Sequence, residues 1–346
     1  MSPAWHCERM QVQRIDPEDS ASFAAWFAIL RLTDEERWAD VPGWDENLVK
    51  SMARQVGGGQ EFHCLAAVDG SGTMLGMAGM ELPMRDNTHS LGFEVRVLPE
   101  YRRQGIGTAI VEEVARRALD DGRTTLNCLF EVPTHMVGAE PSEPFLRSLG
   151  FTSTQSGNRR SLALPVDPVR LAALKDEVSK AAVGYRMLTF TAPWPEEFDD
   201  DQCELNRRMS TDAPSGDASH EEMVFDKARI VESDKLLAEQ GLTKLVAVAQ
   251  DIATGRLVAF SELVVSDLRP NEAWQWATLV LGEHRGHRLG LAVKMANLAY
   301  LEEVFPSARS ILTGNAQENT PMIAVNEMLG FEVVGTGMFW QKTLSA

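Results

Sequence analysis

The sequence predicts an α+β protein built as two tandem domains, each a mixed, mostly antiparallel sheet flanked by helices. Three observations carry this expectation. First, Arg102-Arg103-Gln104-Gly105-Ile106-Gly107 is matched 183 residues later by Arg285-Gly286-His287-Arg288-Leu289-Gly290, and Leu149-Gly150-Phe151 is matched 180 residues later by Leu329-Gly330-Phe331. Two landmarks in the same order at nearly the same offset mark an internal duplication. Second, each Arg- and Gly-containing motif follows a strand-like run (residues 91–97 and 274–280) and opens a stretch with apolar residues at helical spacing. Third, 346 residues suffice for two cores of ordinary domain size.

The elements follow from periodicity and breakers. A strand over 10–16 leads to helices near 20–31 and 45–56, the second broken by Gly57-Gly58-Gly59. Strands fit 62–69, 74–84 and 89–98, with Asp69-Gly70-Ser71-Gly72 as the hairpin turn. A helix over 106–120 places Ile110, Val111, Val114, Ala115 and Ala118 at helical spacing. A strand over 124–132, a short helix before Leu149 and closing strands to 164 complete a first domain over 1–165. Pro165 and Pro168 open a helix to about residue 183, read as a connector over 166–184. From Tyr185 the order repeats to give a second domain over 185–346, with Asp251-Ile252-Ala253-Thr254-Gly255 as the matching turn. Its later elements are an apolar helix carrying Leu291, Val293, Met295, Ala296 and Leu298, a helix over 322–329 and a strand over 331–334.

A strand, a Gly-containing turn and a helix start form an anion site. The first N–H groups of a helix have no intrahelical partner, and the helix dipole adds positive potential there. A diphosphate sits on those groups where small residues let the backbone approach. The candidates are Arg102, Arg103, Gln104, Gly105, Ile106, Gly107 and Thr108 in the first copy. In the second they are Arg285, Gly286, His287, Arg288, Leu289, Gly290 and Leu291. Position 110 is Ile, so the full dinucleotide-binding Gly-x-Gly-x-x-Gly is absent, and so is a Walker-type loop.

These residues resemble the coenzyme A-binding motif of the GCN5-related N-acetyltransferases (GNAT family), Arg/Gln-x-x-Gly-x-Gly/Ala after a Val-ending strand. Asn319-x-x-Met322-x-x-x-Asn326-x-x-x-Gly330-Phe331 resembles that family's second motif. The resemblance covers most of the chain as two tandem domains, the layout of actinobacterial two-domain members. It implies an acyl-CoA-dependent N-acyltransferase whose donor, acetyl-CoA or another acyl-CoA, enters a V-shaped gap between the fourth and fifth strands. A backbone N–H near Val97 or Val280 would then stabilise the oxyanion as an amine attacks. The acceptor implied is an amine of a small molecule or peptide. The resemblance leaves open a carrier-protein-bound or long-chain donor, and a CoA-binding scaffold with decayed sites. Departures from the pattern are complementary. The first domain has Ala139 where the family often has Asn, and Leu146 where it often has a catalytic Tyr. The second keeps Asn319, but Arg288 replaces the first Gly of the turn and Asn326 stands at the Tyr position. Arg288 reads equally as a phosphate-binding guanidinium or as a surface residue.

The acceptor must arrive as a free amine, so a base or water chain must take its proton. Glu94 is the nearest carboxylate on the first domain's fourth strand, though it shares a face with Arg96 and reads also as its ion-pair partner. In the second domain Asp212, Glu221 and Glu262 are the candidates. His284 and His287 flank the second turn within reach of a phosphate. Trp274, Trp276 and Trp340 fall on second-domain strands and read as core residues, with one of them lining an acceptor tunnel as the alternative.

Composition narrows the partners. The net charge of −17 argues against nucleic acid and anionic membranes. Acidic residues crowd the stretch 196–226, which reads either as a solvated face or as a mouth for a cationic amine, with 209–217 as a polar loop. No run of eighteen apolar residues occurs, and the residues from Met1 to Cys7 do not read as a signal peptide. Cys7, Cys64, Cys128 and Cys203 are scattered without a Cys-x-x-Cys, so no disulfide framework or metal site is expected, and the location expected is cytoplasmic. Oligomeric state stays open.

Overall fold

The computed structural model of the chain describes residues 10–38, 45–54, 59–137, 142–212, 216 and 221–345. The expectations placed on residues 1–7, Gly57, Gly58, Ala139, and 213–215 and Asp217 of the polar loop lie outside these. The chain forms two compact units. One comprises Met1–Ser156, Asp217–Glu221 and Thr336–Ala346, the other Gly157–Gly216 and Glu222–Gly335.

In unit 1, β1 (Gln11–Ile15), β2 (Gln60–Val68), β3 (Met74–Pro83) and β4 (Ser90–Val97) are neighbours in chain order and antiparallel. β5 (Thr125–Pro133) joins β4 in parallel. Alternation along β2 sorts the core into two layers. Leu65 and Ala67 pack with Ile110, Val111 and Val114 of α3 (Ile106–Asp120). Cys64 and Ala66 face α1 (Ser20–Arg37), which buries Phe23, Trp26, Phe27 and Leu30 at helical spacing, and α2 (Glu46–Arg54) packs in the same layer through Val49. Asp19 caps α1 by accepting from Ala21 and Ser22 N–H, and Trp26 Nε1 donates to Leu65 O at 2.8 Å. α1 runs six residues beyond its expected end because Arg37 is buried and the Thr33 hydroxyl turns back onto Ile29 O at 2.8 Å. α4 (Ser142–Ser148) adds Leu146 to the α3 layer.

Unit 2 repeats this plan. β7 (Tyr185–Thr191), β8 (Leu242–Asp251), β9 (Leu257–Ser266) and β10 (Arg269–Val280) are antiparallel neighbours, and β11 (Ser310–Ala316) joins β10 in parallel. Val246 and Val248 face α6 (Asp199–Asp212), with α7 (Lys227–Glu239) on the same side of the sheet. Leu245, Ala247 and Ala249 face α8 (Leu289–Val304). α5 (Pro168–Ala181), expected as a connector, contributes Leu174 to the α8 layer beside Leu329 of α9 (Thr320–Leu329).

The sixth strand of each unit comes from the other repeat. β6 (Thr152–Ala163) gives residues from Gly157 onward to unit 2, where it runs antiparallel to β11. A Cβ at Gly157 would lie 2.6 Å from Asn315 O, so only glycine fits that approach. β12 (Glu332–Thr343) gives residues from Thr336 onward to unit 1, beside β5. Trp340 therefore lies in the core of unit 1, 1% exposed, and β12 is far longer than the expected strand over 331–334. No helix among the described residues is long and apolar enough to cross a membrane.

Candidate active site

Each unit opens a gap where its two parallel strands part. β4 pairs with β5 only through Ser90–Thr125, Leu91–Leu126 and Gly92–Asn127, although both strands run on. β10 pairs with β11 only through Glu272–Ser310, Ala273–Ile311 and Trp274–Leu312, and a register shift between Gln275 and Thr278 bends β10 at that point. Leu98 N–H donates to Leu75 O and Leu281 N–H to Val258 O, both on the far side of the strand from the gap. Because backbone groups alternate along a strand, the N–H and C=O of Val97 and Val280 point toward the gap. The carbonyls are taken by Arg102 Nε at 3.0 Å and Arg285 Nε at 3.2 Å.

The two turns share one backbone conformation. Arg103 (φ 62°) and Gly105 (φ 82°) in the first match Gly286 (φ 88°) and Arg288 (φ 56°) in the second. Each turn thus has two left-handed positions and fills one with Gly and the other with Arg. Arg288 holds the geometry at the cost of about 1–2 kcal/mol of backbone strain. Gly105 and Arg288 are the N-caps of α3 and α8, and neither helix has a side-chain cap. Asp19, Asp167, Asp226 and Asn319 do cap α1, α5, α7 and α9. The N–H groups of Ile106, Gly107 and Thr108, and of Leu289, Gly290 and Leu291, are the ones at these uncapped starts.

The arginines of the turns are fasteners more than phosphate ligands. Besides gripping Val97 O, Arg102 pairs with Glu36 at 3.0 Å, and Arg285 pairs with Asp212 at 3.0 Å. Arg288 pairs with Glu177 on α5 at 2.6 Å. Arg103 is exposed, and Gln104 Nε2 donates to Glu100 O. His284 Nδ1 meets Tyr185 OH at 2.9 Å, and the His287 ring lies 5.4 Å from the Tyr185 ring.

The structure separates the candidate bases. Asp212 is hydrogen-bonded by Arg208 and paired with Arg285, which holds its carboxyl below the usual range. It anchors the turn and is a poor proton acceptor. Glu221 belongs to unit 1, where its backbone N–H donates to Asn87 Oδ1 at 2.7 Å and its carboxylate lies 3.7 Å from His89. That is the paired end of β4, roughly 20 Å along the strand from Val97. The sequence could not place it, because its docking is not a helix or strand contact. Asn326 is fully buried, its amide donating to Asn315 Oδ1 at 2.6 Å, and it carries no titratable proton. Asn319 caps α9 through Met322 N–H. Leu146 is buried in the core.

Glu94 and Glu262 remain, and they are counterparts. Glu262 stands at the position of Gly79 in the first repeat, and a Cβ on Gly79 would lie 3.3 Å from Glu94 Oε1. The two units therefore bring a carboxylate to the same region of the sheet from adjacent strands, β4 in one and β9 in the other. Burial pushes both carboxyls above the usual range, against the pull of Arg96 on Glu94 and of Lys244 on Glu262. Arg96 Nη2 lies 3.1 Å from Glu94 and 3.7 Å from Asp34. Lys244 Nζ lies 2.6 Å from Asp234 and 3.6 Å from Glu262. Asp34, Asp234 and Lys244 were not singled out by sequence. A lysine inside the apolar run of β8 is the signal that would have found the last.

Trp274 and Trp276 are 39% and 45% exposed, contrary to the expected core role. They stand on the face opposite Ala273 and Gln275, with the Arg159 guanidinium 5.0 Å from the Trp274 ring. Cys64 and Cys128 are buried and their thiols pushed up to about 12, which makes them inert.

A sequence model of the acetyltransferase (GNAT) family matches residues 23–151. No curated protein matches the sequence. Among solved structures, a tandem GNAT protein from the clavulanic acid biosynthesis pathway, determined without AcCoA, is similar over 97% of this chain and 99% of its own, with a TM-score of 0.78 and 23% identity. A GCN5-related N-acetyltransferase from Sphaerobacter thermophilus is similar over 98% and 97%, with a TM-score of 0.65 and 14% identity. N-myristoyltransferase from Saccharomyces cerevisiae is similar over 99% and 82%, with a TM-score of 0.59 and 10% identity. Residues 23–151 are thus a domain of the GNAT acetyltransferase family, and the chain as a whole has the tandem GNAT fold.

Proposed function

We propose that the chain moves an acyl group from an acyl-CoA thioester directly to an amine of a small molecule or peptide. The observation that carries this reading is the duplicated turn: two left-handed residues, an uncapped helix start and a parted strand pair, present in both units. Ile106, Gly107 and Thr108 would cradle the diphosphate in unit 1, and Leu289, Gly290 and Leu291 in unit 2. Val97 and Val280 N–H would hold the developing oxyanion. Glu94 and Glu262 would take the amine's proton, each made more basic than an exposed carboxylate by burial. The Tyr position holds Leu146 and Asn326, so the sulfur would leave as the thiolate.

By descent, 1–165 and 185–346 would be the two repeats, joined by 166–184, with their last strands exchanged. Unit 2 is the better acceptor site. The net negative cluster around Glu262 suits a cationic amine.

Calorimetric titration of acetyl-CoA into the full chain tests the reading. Two sites per chain are expected. One site would restrict turnover to a single unit. No binding of acetyl-CoA or of a longer acyl-CoA would overturn the proposal.

A further inference from the structure

Unit 2 buries an ionic triad. Asp234 on α7, Lys244 on β8 and Glu262 on β9 are 9%, 8% and 7% exposed, and Lys244 lies between the two acids. Two carboxylates and one ammonium leave a net charge of −1 where burial penalises charge, so the cluster is relieved by gaining one proton. Burial works against the Lys244 ammonium, but Glu262 and Asp234 outweigh it and strengthen its hold on its proton. The missing proton therefore belongs on Glu262, whose carboxyl burial pushes above the usual range.

The two ends of the triad face different places. At one end, Glu262 lies between the pairs Ser261–Thr278 and Leu263–Gln275, so it faces the bulge of β10, about one strand spacing of 4.8 Å away. There β10 parts from β11. At the other end, Asp234 lines a small pocket with Trp194, Asp199, Gln202 and Val231, and Val231 is 53% exposed at its rim. Asp234 Oδ2 has no hydrogen-bond partner, and neither has Trp194 Nε1, buried at 5% exposure. One group lacks a donor and the other an acceptor, as at a site that holds water. Gln275 Nε2 donates to the Glu262 backbone O at 2.7 Å, and Asp199, which lines the pocket beside Asp234, is paired with Lys227 at 2.5 Å.

We propose that Glu262, Lys244 and Asp234 form a one-proton store with its exit at the Trp194 pocket. The source of the proton rests on the acyltransferase reading: Glu262 takes it from the attacking ammonium. An N–H bond of Lys244 then breaks as an O–H bond of Asp234 forms, and the proton on Glu262 restores the ammonium. The net result is one proton moved from Glu262 to Asp234, which releases it to the pocket.

Infrared difference titration of the full chain tests the store without an acceptor. In wild type, a carboxylic acid signal should persist above the usual carboxylate range. Asp234→Asn leaves a single carboxylate facing Lys244, and the signal should fall by about one pH unit or more. Glu262→Gln removes the raised carboxyl itself, and its signal should be lost. Acetyl-CoA titration of the same samples checks that both variants fold and keep their turns. Unchanged carboxyl titration in both variants, with acetyl-CoA still bound, overturns the store alone. Failure of wild type to bind acyl-CoA with the titration changed as expected overturns the acyltransferase reading and leaves the store without its source.

Discussion

Replacing Gly290 with glutamate puts a carboxylate on the second residue of α8, where the diphosphate should lie. The added Cβ meets nothing closer than Val280 Cγ2 at 3.7 Å, an ordinary contact, so the core is undisturbed. An acid in the first turn also favours the helix, by about 0.3–1 kcal/mol. Folding should therefore hold while binding fails. Two like charges about 4 Å apart at an effective dielectric near 20 repel by about 4 kcal/mol, roughly a thousandfold in affinity. Gly107 is the less clean position, because a Cβ there comes within 3.2 Å of the Phe145 ring. Calorimetry with acetyl-CoA should find one site fewer in Gly290→Glu, with the melting temperature equal or slightly raised. An unchanged number of sites at unchanged affinity would refute the phosphate assignment in unit 2.

Two further outcomes are expected. Trp340→Ala should cost about 3–5 kcal/mol, and hydrogen exchange should show the loss in β4 and β5 of unit 1; loosening confined to β10 and β11 would contradict the strand exchange. Lys294 is buried with its amine lowered to about 7, so the folded state resists its charge, and stability should rise as pH climbs from about 7 toward 10.5. Lys294→Met should therefore gain up to about 4 kcal/mol near pH 6.5 and much less near pH 9.5. Denaturant unfolding at the two pH values checks this, and a gain that grows with pH would be inconsistent with it.

The duplication was legible because its landmarks are local. Gly105 and Gly286 announce left-handed turns, and apolar periodicity announces α3 and α8. Arg288 was ambiguous, since side-chain identity does not reveal that the backbone keeps φ 56° without glycine. The exchange of last strands was invisible because β6 and β12 have the same strand pattern whichever β-neighbour they join. Glu262 was visible as a carboxylate on a strand, but its partners were not. Asp234 is a polar residue on a half-exposed helix, and only the close approach of α7 to β8 makes it a buried acid.

The two units solve one electrostatic problem with different cations, and the difference has a chemical consequence. Both set an acid on the central strands, a cation beside it and a second acid on a flanking helix: Glu94, Arg96 and Asp34 in one, Glu262, Lys244 and Asp234 in the other. A guanidinium stays protonated in a protein, whereas an ammonium exchanges its proton with a neighbouring carboxylate. Arg96 thus fixes Glu94 in place but closes the route to Asp34. Lys244 keeps the route from Glu262 open. If both units bind acyl-CoA, repeated turnover with a cationic amine should favour unit 2, where the proton has a way out. In unit 1 a proton taken up by Glu94 would have to leave by the path the amine took in.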